Sequence, residues 1–468
     1  MRSRSAGRAL LTLTALTVLA VGLTPTASSV AAAPVAPVTT IPATVDRTGA
    51  TDVTEALRAF FASVPDGEVA QLGRKAIYRV EGTLKLKNRN DLTVDGNYAT
   101  IISSAKTSVL RGALWMEGGT NLKVRRLIIR GANPLGGTED DAYVRNLENA
   151  HGIRIEGAIG VEISDVTVTD VFGDFIYVGR SEDRVWSEDV WIHDSRFARN
   201  GRQGIAVTAA RRVVIERNRL DNMRRSTIDL EPNTRSSGVE DVFVLDNTVG
   251  KGRLRFIASH GGGPVDRVVI ARNTLRGQTM TIDVKPPDED RRSSFYVIDN
   301  TSDTASGRAP LKFVRVDGLV VRNNIQPVRD RGVGIDLGGV CGVFIANNRF
   351  SETGPPTEGL PQPDCGQPPS PDLPAAPAIA GRAAGSPAPP STTTSTTTTT
   401  TSTPVRPVPT NTAAARPGPT SPAPRAVGTA SGSGPLWAWI LGIGAAAAGT
   451  IWWVRAQRRT NNSSKNDS

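Results

Sequence analysis

A short apolar strand closed by asparagine recurs through the middle of the chain as apolar-x-x-Asn-x-apolar. It reads Ile215-Glu-Arg-Asn218-Arg-Leu220, Val244-Leu-Asp-Asn247-Thr-Val249 and Ile270-Ala-Arg-Asn273-Thr-Leu275. It returns at Val320-Val-Arg-Asn323-Asn-Ile325 and Ile345-Ala-Asn-Asn348-Arg-Phe350. With weaker members the slot falls at 97, 127, 166, 195, 218, 247, 273, 300, 323 and 348, a mean interval of about 28 residues. Each unit holds short strands of alternating pattern, such as Gly152-Ile-Arg-Ile-Glu156 followed by Gly160-Val-Glu-Ile163. No unit has the ten or so residues of helical period that a βαβ crossover needs. A propeller blade would repeat nearer about 40–50 residues with four antiparallel strands. The spacing therefore predicts an all-β chain, a right-handed single-stranded parallel β-helix of about 10 coils. Val and Ile at period two would point inward, and the asparagines would stack coil upon coil as an amide ladder.

Open solenoid ends need caps. Asp52-Val-Thr-Glu55 has the form of a capping box, and Val53, Leu57, Phe60, Phe61 and Val64 share one helical face. A capping helix is expected over about 52–64. The stretch Asp46-Arg-Thr-Gly-Ala-Thr-Asp52-Val-Thr-Glu-Ala-Leu57, followed by the strand-rich repeat, resembles the start of pectate-lyase-like parallel β-helix proteins. That superfamily includes polygalacturonases, pectate and alginate lyases, mannuronan epimerases, phage tailspikes and surface adhesins. The resemblance covers about residues 45–352 and implies the fold. It does not carry a reaction. There is no Asn-Thr-Asp followed by Asp-Asp and Gly-His-Gly, as in polygalacturonases, and Asp174 in Gly173-Asp-Phe-Ile is a partial match. Fold alone does not name a function.

The ends suggest where the chain works. Residues 1–33 place Arg2, Arg4 and Arg8 before an apolar run and an Ala-rich stretch, the pattern of a cleaved export signal. Residues 435–455 contain 19 consecutive uncharged residues, about enough to span a ~30 Å hydrocarbon core. Trp437 and Trp439 stand at one end, Trp452 and Trp453 at the other, with Arg455, Arg458 and Arg459 just beyond. The expected topology is a single span with residues 34–352 outside and a cytoplasmic tail over 456–468. Residues 353–434 are rich in Pro, Ala, Ser and Thr and read as a disordered stalk. The formal charge of +10 divides into +3 on residues 1–33, +6 on 372–468 and +1 between, so a nucleic-acid partner is not expected. Cys341 and Cys365, the two cysteines of an exported chain, are expected to form a disulfide. No cofactor is required by the pattern, and a single chain is the expected unit.

Function has to be sought on one wall of the coil. The strands Gly152-Ile-Arg-Ile-Glu156, Asp174-Phe-Ile-Tyr-Val178, Gly204-Ile-Ala-Val-Thr208, Thr227-Ile-Asp-Leu-Glu231 and Thr281-Ile-Asp-Val-Lys285 superpose by pattern. Ile153, Phe175, Ile205, Ile228 and Ile282 would then point in, and Arg154, Ile176, Ala206, Asp229 and Asp283 out. Glu156, Val178, Thr208, Glu231 and Lys285 follow on the same wall. Asp229 and Glu231, two apart on one strand, suit an acid and a base or nucleophile, with Asp174 and His260 as further catalytic candidates. Arg154, Glu156, Arg202, Gln203, Arg235, Asp283 and Lys285 are the candidate substrate-binding residues. Arg202, Arg224, Arg225 and Arg235 would be suited to holding uronate carboxylates. A calcium site at Asp229, Glu231 and Asp283 is the alternative use of the same acids. His151, which flanks the same face as His260, is likewise a base candidate, and Asp165, Asp170, Asp194 and His193 belong to other walls. Insertions at 131–149, 180–189, 233–240 and 285–294 bring Arg180, Trp186 and Arg235 toward the groove, whereas Trp115 and Trp191 read as packing residues. Two functions fit: a surface-tethered hydrolase or lyase acting on an extracellular polysaccharide, and a non-catalytic adhesin or glycan-binding module.

Overall fold

The computed structural model describes residues 36–104, 111–287, 290–307, 309–329, 333–350, 357–358 and 367–382. The export signal, the stalk beyond 382, the expected membrane span, the tail and Cys365 lie outside the described residues. Among the described residues no helix is long and apolar enough to cross a membrane.

The chain winds as a right-handed parallel β-helix of about eleven turns. One face is a sheet of eleven parallel strands: β1 (Leu84–Lys87), β2 (Arg111–Glu117), β3 (Ala150–Glu156), β4 (Ile176–Gly179), β5 (Ile205–Val207), β6 (Ile228–Leu230), β7 (Ile257–Ser259), β8 (Ile282–Val284), β9 (Leu311–Val314), β10 (Ile335–Gly338) and β11 (Thr357–Glu358). The other nineteen strands form one hydrogen-bonded sheet folded over two faces. The long strand Ile159–Val171 shows the fold, pairing through its first half with Ser187–His193 and through its second with Arg196–Asn200. The bend falls at Asp165, whose φ is 50°. Inside, Ile153, Ile176, Ile205, Ile228, Ile257 and Ile282 stack in register and are fully buried.

The amide ladder runs through Asn218, Asn247, Asn273, Asn300, Asn324 and Asn348. Asn247 Nδ2 donates to Asn273 Oδ1 at 3.0 Å and to Ile215 O at 2.9 Å, while its Oδ1 accepts the backbone N–H of Asn218 at 2.9 Å. Each amide from Asn218 to Asn324 is thus used by the coils on both sides. The residue before each ladder position sits in the left-handed region: Arg217, Asp246, Arg272, Asp299, Asn323 and Asn347. The ladder residue in its coil is therefore Asn324 rather than Asn323. With Asn at both positions the pattern does not distinguish them. Asn323 faces outward and donates to Asp299 Oδ1 at 2.8 Å.

The helix α1 (Thr54–Ser63) buries Leu57, Phe60 and Phe61 against the first coils. It begins two residues later than the sequence pattern implies and has no capping box. Asp52 Oδ1 accepts from Thr54 N and Oγ1, so it fixes the turn into the helix, and Glu55 pairs with Arg58.

The outer surface of the second face is not a solvated wall. Trp191, Val214, Phe243, Val269, Tyr296, Val320 and Phe344 form an outward column by register. Residues 367–382, assigned by composition to the stalk, cover it. Leu373, Ala376 and Ile379 pack on this column, and Arg382 pairs with Glu216 at 3.0 Å. Unbroken apolar triplets such as Val213-Val-Ile215 and Val242-Phe-Val244 signal a strand buried on both sides. Cys341 is held in a disulfide.

Asn324→Ala should lower stability to urea by about 2–3 kcal/mol, because buried partners lose their hydrogen bonds. Asn323→Gly, at a φ of 58°, should cost less than about 1 kcal/mol. Equal costs would contradict the assignment of Asn324, and not Asn323, to the ladder.

Candidate functional site

Along the eleven-strand face the outward column runs Lys85, Trp115, Arg154, Tyr177, Ala206, Asp229, Ala258, Asp283, Lys312 and Asp336. Tyr177 occupies the place expected for Ile176. Phe175 stands level with Gly152 and Gly204, its C=O accepting from Ile153 N and its N–H donating to Gly204 O. Phe175 and Ile176 are both buried, so alternation alone misplaces the strand by one residue. Val178 is likewise inside, and Gly179 pairs beside Glu156.

Asp229 lies on β6 with an exposure of 5%. Burial and the neighbouring Glu231 push its carboxyl up to about 8, so it keeps its proton near neutrality. Gln203 is not a surface sugar-binding group. It is buried, its Nε2 donates to Asp229 Oδ2 at 2.5 Å, and its Oε1 accepts from Ser226 N at 2.9 Å. Gln203 therefore orients Asp229.

Asp174 does not begin the strand but sits in the turn before it, with no exposed surface. It accepts from Gln203 N at 2.9 Å and from Arg202 Nη1 at 2.8 and 3.1 Å. Burial pushes Asp174 up to about 6 despite Arg202. A substrate cannot reach it, so Asp174 positions Arg202 and Gln203. Arg202 extends onward, with Nη2 at 3.7 Å from Glu231 Oε2 and Nε at 3.7 Å from Glu148 Oε2. Glu231 is more than a third exposed and faces the groove.

Glu148 and Tyr143 are the residues missed by sequence reasoning. They come from the insertion 131–149, which carries two short 3-10 turns, Asp140–Ala142 and Arg145–Leu147. Tyr143 Oη donates to Glu148 Oε2 at 2.6 Å, and Arg225 stacks 4.3 Å from the Tyr143 ring centre. Asp140 ties the insertion to Arg224 at 2.6 Å and Arg253 at 3.2 Å, so it walls the groove across several coils. Gly173 permits the approach, since a Cβ there would meet Glu148 O at 2.6 Å and His151 Nδ1 at 2.8 Å. Only the position of the insertion, next to the binding face, hinted at these roles.

His151 is buried, stacks on Tyr177 and accepts the Asp174 N–H at Nδ1, 3.0 Å away. Burial, Arg154 and Arg202 hold it neutral. It is a fixed acceptor, not a base. His260 lies 3.3 Å from Asp283 rather than beside Asp229, and Arg255 Nε donates to Asp283 at 2.7 Å. Burial acts against ionisation of Asp283, but His260 and Arg255 hold it down to about 2. Asp283 is two strands from Asp229 and committed to Arg255 and His260. The three acids expected to share calcium are thus not brought together, and among the described residues no group of three His, Cys, Asp or Glu is arranged for a metal.

Clefts flank the central acids. One of about 390 Å³ is lined by Lys85, Trp115, Arg154, Glu156 and Arg180. Trp115 is half-buried there, with Lys85 at 4.0 Å and Arg154 at 4.8 Å from the ring, rather than in the core. Arg154 is itself buried and paired with Glu156. The other cleft, of about 840 Å³, is lined by Arg255, Thr281, Asp283, Lys312 and Asp336. Lys285 is exposed just past β8, and Arg235 is 3.5 Å from Asp290. Trp186 turns away, toward Arg211 of the second face.

Residues 112–284 match the family described as right handed beta helix region. No curated protein sequence matches the chain. Among solved structures, the Agl-KA catalytic domain is 12% identical, covering 67% of this chain and 66% of its own, with a TM-score of 0.50. The family 28 exopolygalacturonase of Yersinia enterocolitica is 11% identical over 68% of this chain and 78% of its own, with a TM-score of 0.48. The Streptococcus pneumoniae surface protein and adhesin PfbA is 14% identical over 66% and 96%, at 0.44. The chain thus has the right-handed parallel β-helix fold, and residues 112–284 carry the repeat of that family.

A carboxyl raised in the folded state favours folding at low pH, and that contribution is lost as pH climbs from about 4 toward about 8. Asp229→Asn cannot ionise, so its stability relative to the unaltered chain should rise between about pH 5 and about pH 8.5 in urea melts. A difference that does not change with pH would contradict the burial of Asp229 as a protonated acid.

Proposed function

We propose that this chain is a polysaccharide hydrolase, exported, tethered by its C-terminal segment and acting as a single chain outside the cell. The observation that carries the reading is Asp229. It is a buried carboxyl kept protonated near neutrality, two residues from groove-facing Glu231 on one strand. Asp229 is the proton donor to the glycosidic oxygen, and Glu231 supplies the basic half as nucleophile or as activator of water. Asp174, Arg202 and Gln203 hold the pair in place. A lyase reading has less support, because His151 is locked as an acceptor and all three guanidinium nitrogens of Arg202 already face carboxylates. The signal, stalk and apolar span of the sequence support the extracellular, membrane-anchored location.

Asp229→Asn and Glu231→Gln should each lower kcat for release of reducing ends by about 10²–10⁴-fold with folding intact. In the unaltered chain kcat/KM should fall above about pH 8, where Asp229 loses its proton. If both variants keep full turnover, Asp229 and Glu231 are not the catalytic pair; if the unaltered chain binds glycan without turning it over, the chain is a binding module.

A further inference from the structure

We infer that the groove is built for an electrically neutral polysaccharide and not for a polyuronate. This rests on the reading of Asp229 and Glu231 as the hydrolytic pair and names the substrate class of that site.

The argument is a balance of charge. Recognition of a sugar carboxylate calls for a cation, best a bidentate guanidinium, that is not already occupied. Arg202 is the central arginine, and its charge is shared among three carboxylates. Nη1 lies against Asp174, Nη2 faces Glu231 and Nε faces Glu148. The flanking cations are committed in the same way. Lys85 and Lys87 pair with Glu117, Arg154 with Glu156, Arg255 with Asp283 and Lys312 with Asp336. Arg224 and Arg253 share Asp140.

Among the described residues, Arg180, Arg225 and Lys285 line or border the groove without a carboxylate partner. Arg225 is laid on the Tyr143 ring. Arg180 and Lys285 border strands β4 and β8, each two rungs from Asp229, or about 10 Å at ~4.8 Å per rung. They are too far apart to clamp one sugar. At the centre, with Asp229 protonated, the cations Arg202 and Arg225 face three carboxylates, Asp174, Glu148 and Glu231. A uronate placed there would enter a site that already carries excess negative charge.

What the groove offers instead is hydrogen bonding of both senses. Asp283 Oδ1 is a buried acceptor with no partner, and Arg154 Nε and Nη1 are buried donors with none. Asp283 and Arg154 line the two flanking clefts. A sugar hydroxyl donates and accepts, so a neutral chain can satisfy both kinds of group. A carboxylate opposite Asp283 Oδ1 would be repelled.

The test uses the full chain and its Asp229→Asn variant, with dextran, laminarin, xylan and galactomannan set against polygalacturonate and alginate. At least one neutral polymer should bind the variant and be cleaved by the unaltered chain, with KM changing less than about twofold between about 50 and about 500 mM NaCl. Tighter binding of a uronan than of every neutral polymer, weakened more than about tenfold by that salt step, would overturn the inference. So would binding to none of the neutral polymers. The two readings separate on Asp229. A uronan whose cleavage is abolished by Asp229→Asn keeps the hydrolase and removes the neutral substrate. A neutral polymer cleaved equally well by both forms keeps the substrate class and removes Asp229 from catalysis.

Discussion

The stacking of one coil on the next at fixed register is the constraint on which the molecule depends, and the buried asparagine ladder enforces it. An apolar β-helix core alone would tolerate slippage, since one Ile column resembles another. A polar ladder does not. A slip of one residue would leave each amide facing the wrong carbonyl inside the protein, a cost of about 1–3 kcal/mol per group. From Asn218 to Asn348 the intervals are 29, 26, 27, 24 and 24 residues. Coils of different length are therefore held in step, and the excess is spent in turns that border the groove. Left-handed residues precede the ladder, and where they are charged they pair along the axis, as Arg217 with Asp194 and Arg272 with Asp246.

Fixed register is what makes a site from distant sequence. Asp229, Gln203, Asp174 and His151 are separated by 26, 29 and 23 residues, one coil each, and form a continuous hydrogen-bonded series. The turn before β4 holds Asp174, the turn before β5 holds Arg202 and Gln203, and β6 with the residue just after it holds Asp229 and Glu231. Each coil contributes one layer, so the arrangement is as rigid as the solenoid.

How much of this is readable from sequence follows from which forces leave a periodic trace. The repeat, the inward Ile columns and the pairing of Asp229 with Glu231 on one strand are properties of period two and period ~28, and they are present in the sequence. Errors arise where two residues satisfy one pattern. Asn323 and Asn324 both fit the ladder slot, and Phe175 and Ile176 are both buried. The doubly buried second face is missed for the opposite reason. Its apolar triplets are visible, but what covers them, residues 367–382, has the composition of a linker. Glu148 and Tyr143 leave no trace because the insertion 131–149 has no periodicity, and their roles depend on Arg202 and Arg225 two and three coils on.

The chemistry of the centre is out of keeping with a surface selected for stability alone. Buried carboxylates near one another cost free energy unless paired, and an uncharged residue at Asp229, like Ala206 and Ala258 on the adjoining rungs, would avoid that cost. Here one arginine serves three acids, and a fourth acid is kept neutral by burial. The two alanines beside Asp229 keep its rung clear of larger side chains, while Gln203 fixes its orientation from below. Such a local conflict, gathered on a few neighbouring coils of an otherwise consistent solenoid, is the kind of feature that marks a functional site.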